Sequence, residues 1–120
     1  MNLLIDTNIA LYFLAGDDKL ASLLDNSVVH LSFISELELL SYPDLNKKEK
    51  STITDFVDDC VIIDINNRIK KETIRIRQNA ALKVPDAIIA ATAISEQLPF
   101  LSADKDFERV EGLHLFSYEL

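Results

Sequence analysis

The chain has 120 residues, 48% of them hydrophobic, and a formal charge of −8. That is enough to bury one core, and it favours a single domain over residues 1–120 rather than two. The charge excludes a broad basic surface of the kind that grips nucleic acid mainly through phosphates, so any nucleic-acid chemistry requires some of the acids to neutralise bound metal or to lie beneath a basic partner.

Asn2-Leu3-Leu4-Ile5 is a short apolar run with no basic segment before it, and Asp6 interrupts it at once, so it reads as a strand and not as a secretory signal. Asp6-Thr7-Asn8 is good N-cap chemistry for a helix over Ile9–Leu14. Gly16-Asp17-Asp18 breaks that helix, and Leu20, Leu23 and Leu24 recur at helical spacing in a second short one. Val28 to Leu31 is a strand, and Ser32 caps a helix in which Phe33, Leu37 and Leu40 are expected on the buried stripe, ending at Pro43.

Asn46 to Asp59 has Ile53, Phe56 and Val57 at helical offsets. A strand follows at Val61-Ile62-Ile63, with Cys60 expected to be a buried, inert thiol in the same apolar run. From Asn66 a long helix places Ile69, Thr73, Ile76 and Ala80 on one face and Lys and Arg on the other. Pro85 opens a helix through Ile94 that is apolar nearly all round and is therefore expected to be buried on several sides. Leu98 to Ser102 is a strand, Asp104 to Arg109 a helical turn, and Leu113 to Phe116 a last strand.

Short, continuously apolar strands separated by helices indicate a mostly parallel sheet covered on both faces, an α/β fold built as a three-layer α/β/α sandwich. No apolar run approaches the roughly 18 residues of a membrane span, and a lone cysteine makes no internal disulfide, so a soluble protein of the reducing cytoplasm is expected.

Ligands of such sheets sit beyond the carboxyl ends of the strands. Asp6 follows the first strand directly, and Asp104 follows the strand ending at Ser102 by two residues. Asp86 stands in the first turn of the apolar helix, where a carboxylate serves equally as a partner of the helix dipole. Glu36 and Glu38 are about 200° apart around one helix, so they cannot share a site, and spacing does not choose between them.

Carboxylates suit magnesium or manganese. Zinc is disfavoured, because His30 and His114 have no partner at a metal-ligand spacing. With only Gly16 and Gly112 there is no phosphate-binding glycine loop, and no nucleophile elbow is present. If the chain is an enzyme, metal-assisted hydrolysis is what remains.

Four stretches together resemble the PIN domain and, within it, the VapC-type ribonuclease toxins of toxin–antitoxin systems. Leu3-Leu4-Ile5-Asp6-Thr7-Asn8 looks like the family's first motif, and Leu31 to Leu40 resembles the second, in which the acid matches Glu38 rather than Glu36. Pro85 to Ala93 is similar to the third almost residue for residue, and Leu101-Ser102-Ala103-Asp104-Lys105-Asp106-Phe107 to the fourth. Ser35 and Ser102 stand where threonine is commoner, and Tyr42 where glycine often is.

The resemblance implies an endoribonuclease that needs Mg2+ or Mn2+ held by Asp6, Glu38, Asp86 and Asp104. RNA would be its substrate, an antitoxin protein its partner, and a homodimer its assembly. Thr7 and Asn8 are expected to fix Asp6, Ser102 to bond a phosphate or a ligand carboxylate, and Asp106 to hold a second ion or orient water. One rival is a signalling receiver with Asp64 as phosphoacceptor and Lys105 nearby, which expects a paired acid at the first strand where only Asp6 stands. Another is a catalytically silent PIN-like binding domain.

Overall fold

The computed structural model describes residues 1–120. Strand β1 (Asn2–Ile5) leads into helices α1 (Thr7–Leu14) and α2 (Asp18–Asp25), and β2 (Val28–Ser32) into α3 (Phe33–Leu40) and α4 (Lys47–Asp59). β3 (Val61–Ile63) precedes the helical pair α5 (Asn67–Asn79) and α6 (Val84–Ser95). β4 (Phe100–Ser102), a 3₁₀ turn (Lys105–Arg109) and β5 (Leu115–Ser117) complete the chain.

The five strands pair in the order β3-β2-β1-β4-β5, all parallel. Alternation along β1 sends Leu4 to one face and Leu3 and Ile5 to the other, so the sheet separates two cores. Leu4 and Phe100 meet α5 and α6 through Ile69, Ile76 and Ala90. Leu3, Ile5, Leu31 and Leu101 meet the other helices through Ile9, Leu20, Leu39 and Ile53. The result is the three-layer α/β/α sandwich read from the sequence. The winding direction reverses at β1, which has β2 on one side and β4 on the other, and that reversal opens a crevice above their carboxyl ends. No helix is long and apolar enough to cross a membrane.

Local chemistry explains the element boundaries. Asp6, Asp17, Ser32, Asn46 and Asn66 each cap the helix that follows by accepting a backbone N–H, and Asn46 forms a reciprocal capping box with Glu49. α6 has Pro85 in its first turn, and Ala87, Ile89, Ala90, Ala91, Thr92 and Ala93 are all buried.

Several expectations differ from the structure, and the last strand runs over Leu115–Ser117 rather than Leu113 to Phe116. On α3 the buried positions are Ser35 and Leu39, whereas Leu37 is 56% and Leu40 52% exposed. Five of its eight residues are apolar, so periodicity defines no unique face, and the cap together with a contact from Ser35 sets the rotation. β4 begins at Phe100 and not Leu98, because the Leu98 N–H still closes the end of α6 on the Ala93 carbonyl. Cys60 is the C-terminal cap of α4, half-buried and outside the strand, with burial and then Asp59 pushing its thiol up to about 12.

Candidate metal centre

Four separate elements deliver carboxylates to the crevice. Asp6 follows β1 and caps α1, Glu38 stands on α3, Asp86 in the first turn of α6, and Asp104 two residues beyond β4. All four line one concavity of about 360 Å³, together with Thr7 and Asn8. Glu36 does not line it, so the rotation of α3 makes the choice that spacing left open.

Asp6 is the deepest of them, 6% exposed. Its Oδ1 accepts the Ile9 N–H at 2.8 Å, and its Oδ2 accepts the Ser102 hydroxyl in a short bond. The Ser102 oxygen also accepts the Asp104 N–H at 3.0 Å, so one buried hydroxyl ties the first acid to the backbone of the fourth. Asp104 in turn caps the 3₁₀ turn through the Asp106 N–H at 2.9 Å.

On the opposite wall the Thr7 hydroxyl donates to Glu38 Oε1 at 2.6 Å and lies 2.9 Å from the hydroxyl of the buried Ser35. The expectation that Thr7 and Asn8 hold Asp6 is therefore corrected: Thr7 holds Glu38, Asn8 is exposed on the rim, and Ser102 with the Ile9 amide does the holding. Ser35 was missed as a contributor, because five apolar residues among eight left the inward face of α3 undecided.

Asp86 does not act as a cap. Lys83 occupies the N-cap position, and no side-chain cap bond forms there. Burial raises the pKa of Asp86, the nearby charges of Asp104 and Glu38 add to the rise, and Lys83 opposes it. Asp6 is raised mainly by burial, against the lowering effect of the Ser102 and Ile9 hydrogen bonds, with Asp104 and Asp86 adding repulsion. The acids are thus near enough to sense one another.

They are not drawn into a closed cage, since no three His, Cys, Asp or Glu side chains are pre-assembled as a ligand cluster. The donor set is all oxygen and suits a hard divalent ion that keeps part of its water shell. Asp106 is exposed, pairs with Arg109 at 2.8 Å and stays outside the crevice lining. His30 meets Asn2 at 3.1 Å, and His114 packs edge-on against Phe116, both away from the acids. Asp64 is exposed after the edge strand β3 and its carboxylate accepts the Ile65 N–H, so the phosphoacceptor arrangement of a receiver is not formed.

A model of the PIN domain matches residues 3–113. Among curated proteins no sequence matches. Among solved structures, the chain resembles VapBC2 from Rickettsia felis, bound to a DNA fragment from their promoter, with a TM-score of 0.88 at 22% identity, covering 99% of this chain and 100% of that one. A toxin–antitoxin complex from Klebsiella pneumoniae matches with a TM-score of 0.83 at 28% identity, covering 98% and 99%. DNA-bound VapBC from Salmonella typhimurium matches with 0.88 at 19%, covering 98% of each.

Proposed function

The chain belongs to the PIN domain family, and from that premise we propose that it is a divalent-metal-dependent endoribonuclease and the toxin of a type II toxin–antitoxin pair. The observation that carries this reading is the convergence of Asp6, Glu38, Asp86 and Asp104 on one crevice, with the two that are most desolvated raised in pKa. A structural protein gains nothing from burying acids against each other, whereas a site waiting for cations does.

In this reading the four carboxylates would hold Mg2+ or Mn2+, which when bound would lower the pKa of a water and offset charge on the scissile phosphate. The chain's own part is positioning. Ser102 and the Ile9 amide fix both oxygens of Asp6, Thr7 fixes Glu38, and the start of α6 presents Asp86 without a competing cap bond. Asp106, paired with Arg109, acts on the site through its charge and as the last donor to Asp104.

Two partners belong to the same proposal. An apolar groove between α1 and α4, lined by Leu11, Tyr12, Leu14, Leu45 and Ile53, opens beside the crevice and shares Asn8, Leu11 and Tyr42 with it. It fits an amphipathic antitoxin segment whose basic residue reaches the acids, and the Klebsiella pneumoniae neighbour is itself a toxin–antitoxin complex. The exposed Leu37 and Leu40, one turn apart on α3, suit a two-fold contact with a second copy.

The deciding experiment is cleavage of an RNA panel with Mg2+ or Mn2+, against EDTA. Asp6→Asn and Asp86→Asn are expected to lose at least about 100-fold of the metal-dependent rate while melting, without metal, no lower than the parent. Full activity in either variant defeats the assignment, and a parent inert on every RNA with both metals leaves the silent binding domain as the better reading.

A further inference from the structure

Half of the chain's basic charge lies in one stretch. Residues 67–83, covering α5 and its connection to α6, hold six of the twelve Lys and Arg with one acid, Glu72, while the rest of the chain sets nineteen acids against six bases. Two of these six hold the fold together. Arg75 pairs with Glu72 at 2.8 Å and donates to the Glu111 carbonyl, and Arg68 donates to the Ser95 carbonyl. Lys70, Lys71, Arg77 and Lys83 are exposed and form no ion pair.

Geometry orders these free cations. At about 100° per residue, Lys70 and Arg77 return to almost the same azimuth, beside the buried line of Ile69 and Ile76, and stand ~10 Å apart along the axis. The contact of Arg68 with Ser95 sets the start of α5 against the end of α6, so the pair is antiparallel and the Arg77 end leads to the start of α6. There Lys83 occupies the N-cap, three residues before Asp86, close enough for its charge to act on that carboxylate.

We propose that Lys70, Arg77 and Lys83 form a track for the sugar–phosphate backbone of a single-stranded RNA, leading one of its phosphates to the crevice of Asp6 and Asp86. This rests on the nuclease reading above and adds to it where the substrate lies. The acidic remainder of the surface repels a polyanion, which confines the strand to the one cationic stripe and steers it towards the mouth of the site. These are positioning residues, remote from the bond that breaks.

The test compares the triple variant Lys70→Gln/Arg77→Gln/Lys83→Gln with a control of equal charge loss, Lys19→Gln/Lys47→Gln/Lys50→Gln. Binding of a fluorescent single-stranded RNA is followed by anisotropy in EDTA at several salt concentrations, and cleavage is then measured with Mn2+. The track variant is expected to bind at least about tenfold more weakly, with a slope of log Kd against log salt shallower by about 2, at roughly 0.7 per lost phosphate contact. Its KM should rise in parallel while kcat stays within about twofold, and the control should match the parent.

Equal losses in both triple variants would reduce the effect to net charge and overturn the proposal, as would unaltered binding by the track variant. Equal affinity of the parent for polyglutamate of matched charge would overturn the assignment to RNA. The two readings separate cleanly. A parent that binds RNA through the track but never cuts it sinks the nuclease, and a parent that cuts with a track variant that still binds normally sinks the track.

Discussion

Asp6 is engaged at both oxygens before any ligand arrives, which makes it informative to alter. Asparagine keeps an acceptor for the Ile9 amide and removes the charge, so Asp6→Asn separates metal binding from folding in a way that alanine would not. Ser102→Ala should lower metal-dependent cleavage by about 10- to 100-fold, the usual cost of losing a partner that orients a ligand. It should also shift the acidic limb of the pH–rate profile upward, because the lost bond had been lowering the Asp6 pKa. A profile unmoved by Ser102→Ala would remove this serine from the site.

The same pKa directions dictate how the metal-free protein responds to pH. Asp6 and Asp86 are raised above the ordinary 3.8, so between that value and their folded values the native state holds protons that the unfolded chain has released. Their burden on stability therefore grows as pH rises through that window and is full above it. In EDTA the melting temperature should climb as pH falls from neutral into the window, and the climb should be smaller in Asp86→Asn. The stabilisation by Mn2+ should be larger at pH 8 than at pH 5, since the deprotonated form binds. Scanning fluorimetry across pH, with and without Mn2+, tests both, and an equal metal effect at the two pH values would contradict the site.

Among the elements, α6 is the one whose ends and faces are most fully determined. Its last turn closes with the Gln97 N–H on the Ile94 carbonyl and the Leu98 N–H on the Ala93 carbonyl, which places Gln97 in the left-handed region at φ 54. A side chain is strained there, so Gln97→Gly is expected to raise stability by up to about 1 kcal/mol in denaturant titrations, and destabilisation would contradict the cap geometry. α5 leans on α6 through the fully buried Ile76, and Ile76→Ala should cost about 2–5 kcal/mol. α3 shows the opposite case. Its apolar residues surround the axis, and the inward face was decided by Ser35 meeting Thr7, with Leu37 and Leu40 left outside.

Across the whole molecule, charge is segregated more than its total suggests. The net −8 describes neither the crevice, which is lined by four acids and no base, nor the stretch of residues 67–83, which is basic. A protein arranged this way should show RNA binding that falls steeply with salt despite its acidic composition. The proposed two-fold contact belongs at this scale too. If that contact forms a dimer, Leu37→Glu/Leu40→Glu should leave a monomer in sedimentation at micromolar concentration with little change in melting, because both side chains are already half exposed or more. An unchanged sedimentation coefficient would place the contact elsewhere.

The succession of strands and helices along the chain, the covering of the sheet on both faces and the buried character of α6 were legible in the sequence, because apolar run length, helical period and capping residues act locally and agree with one another. The positions of Asp6, Asp86 and Asp104 just after strands or at a helix start were legible for the same reason. The sequence did not disclose that Ser102 holds Asp6 across 96 residues, that Thr7 serves Glu38, or that Arg68 ties the start of α5 to the end of α6. Those contacts join side chains remote along the chain, and their geometry exists only once parallel strand pairing has fixed which loops are neighbours.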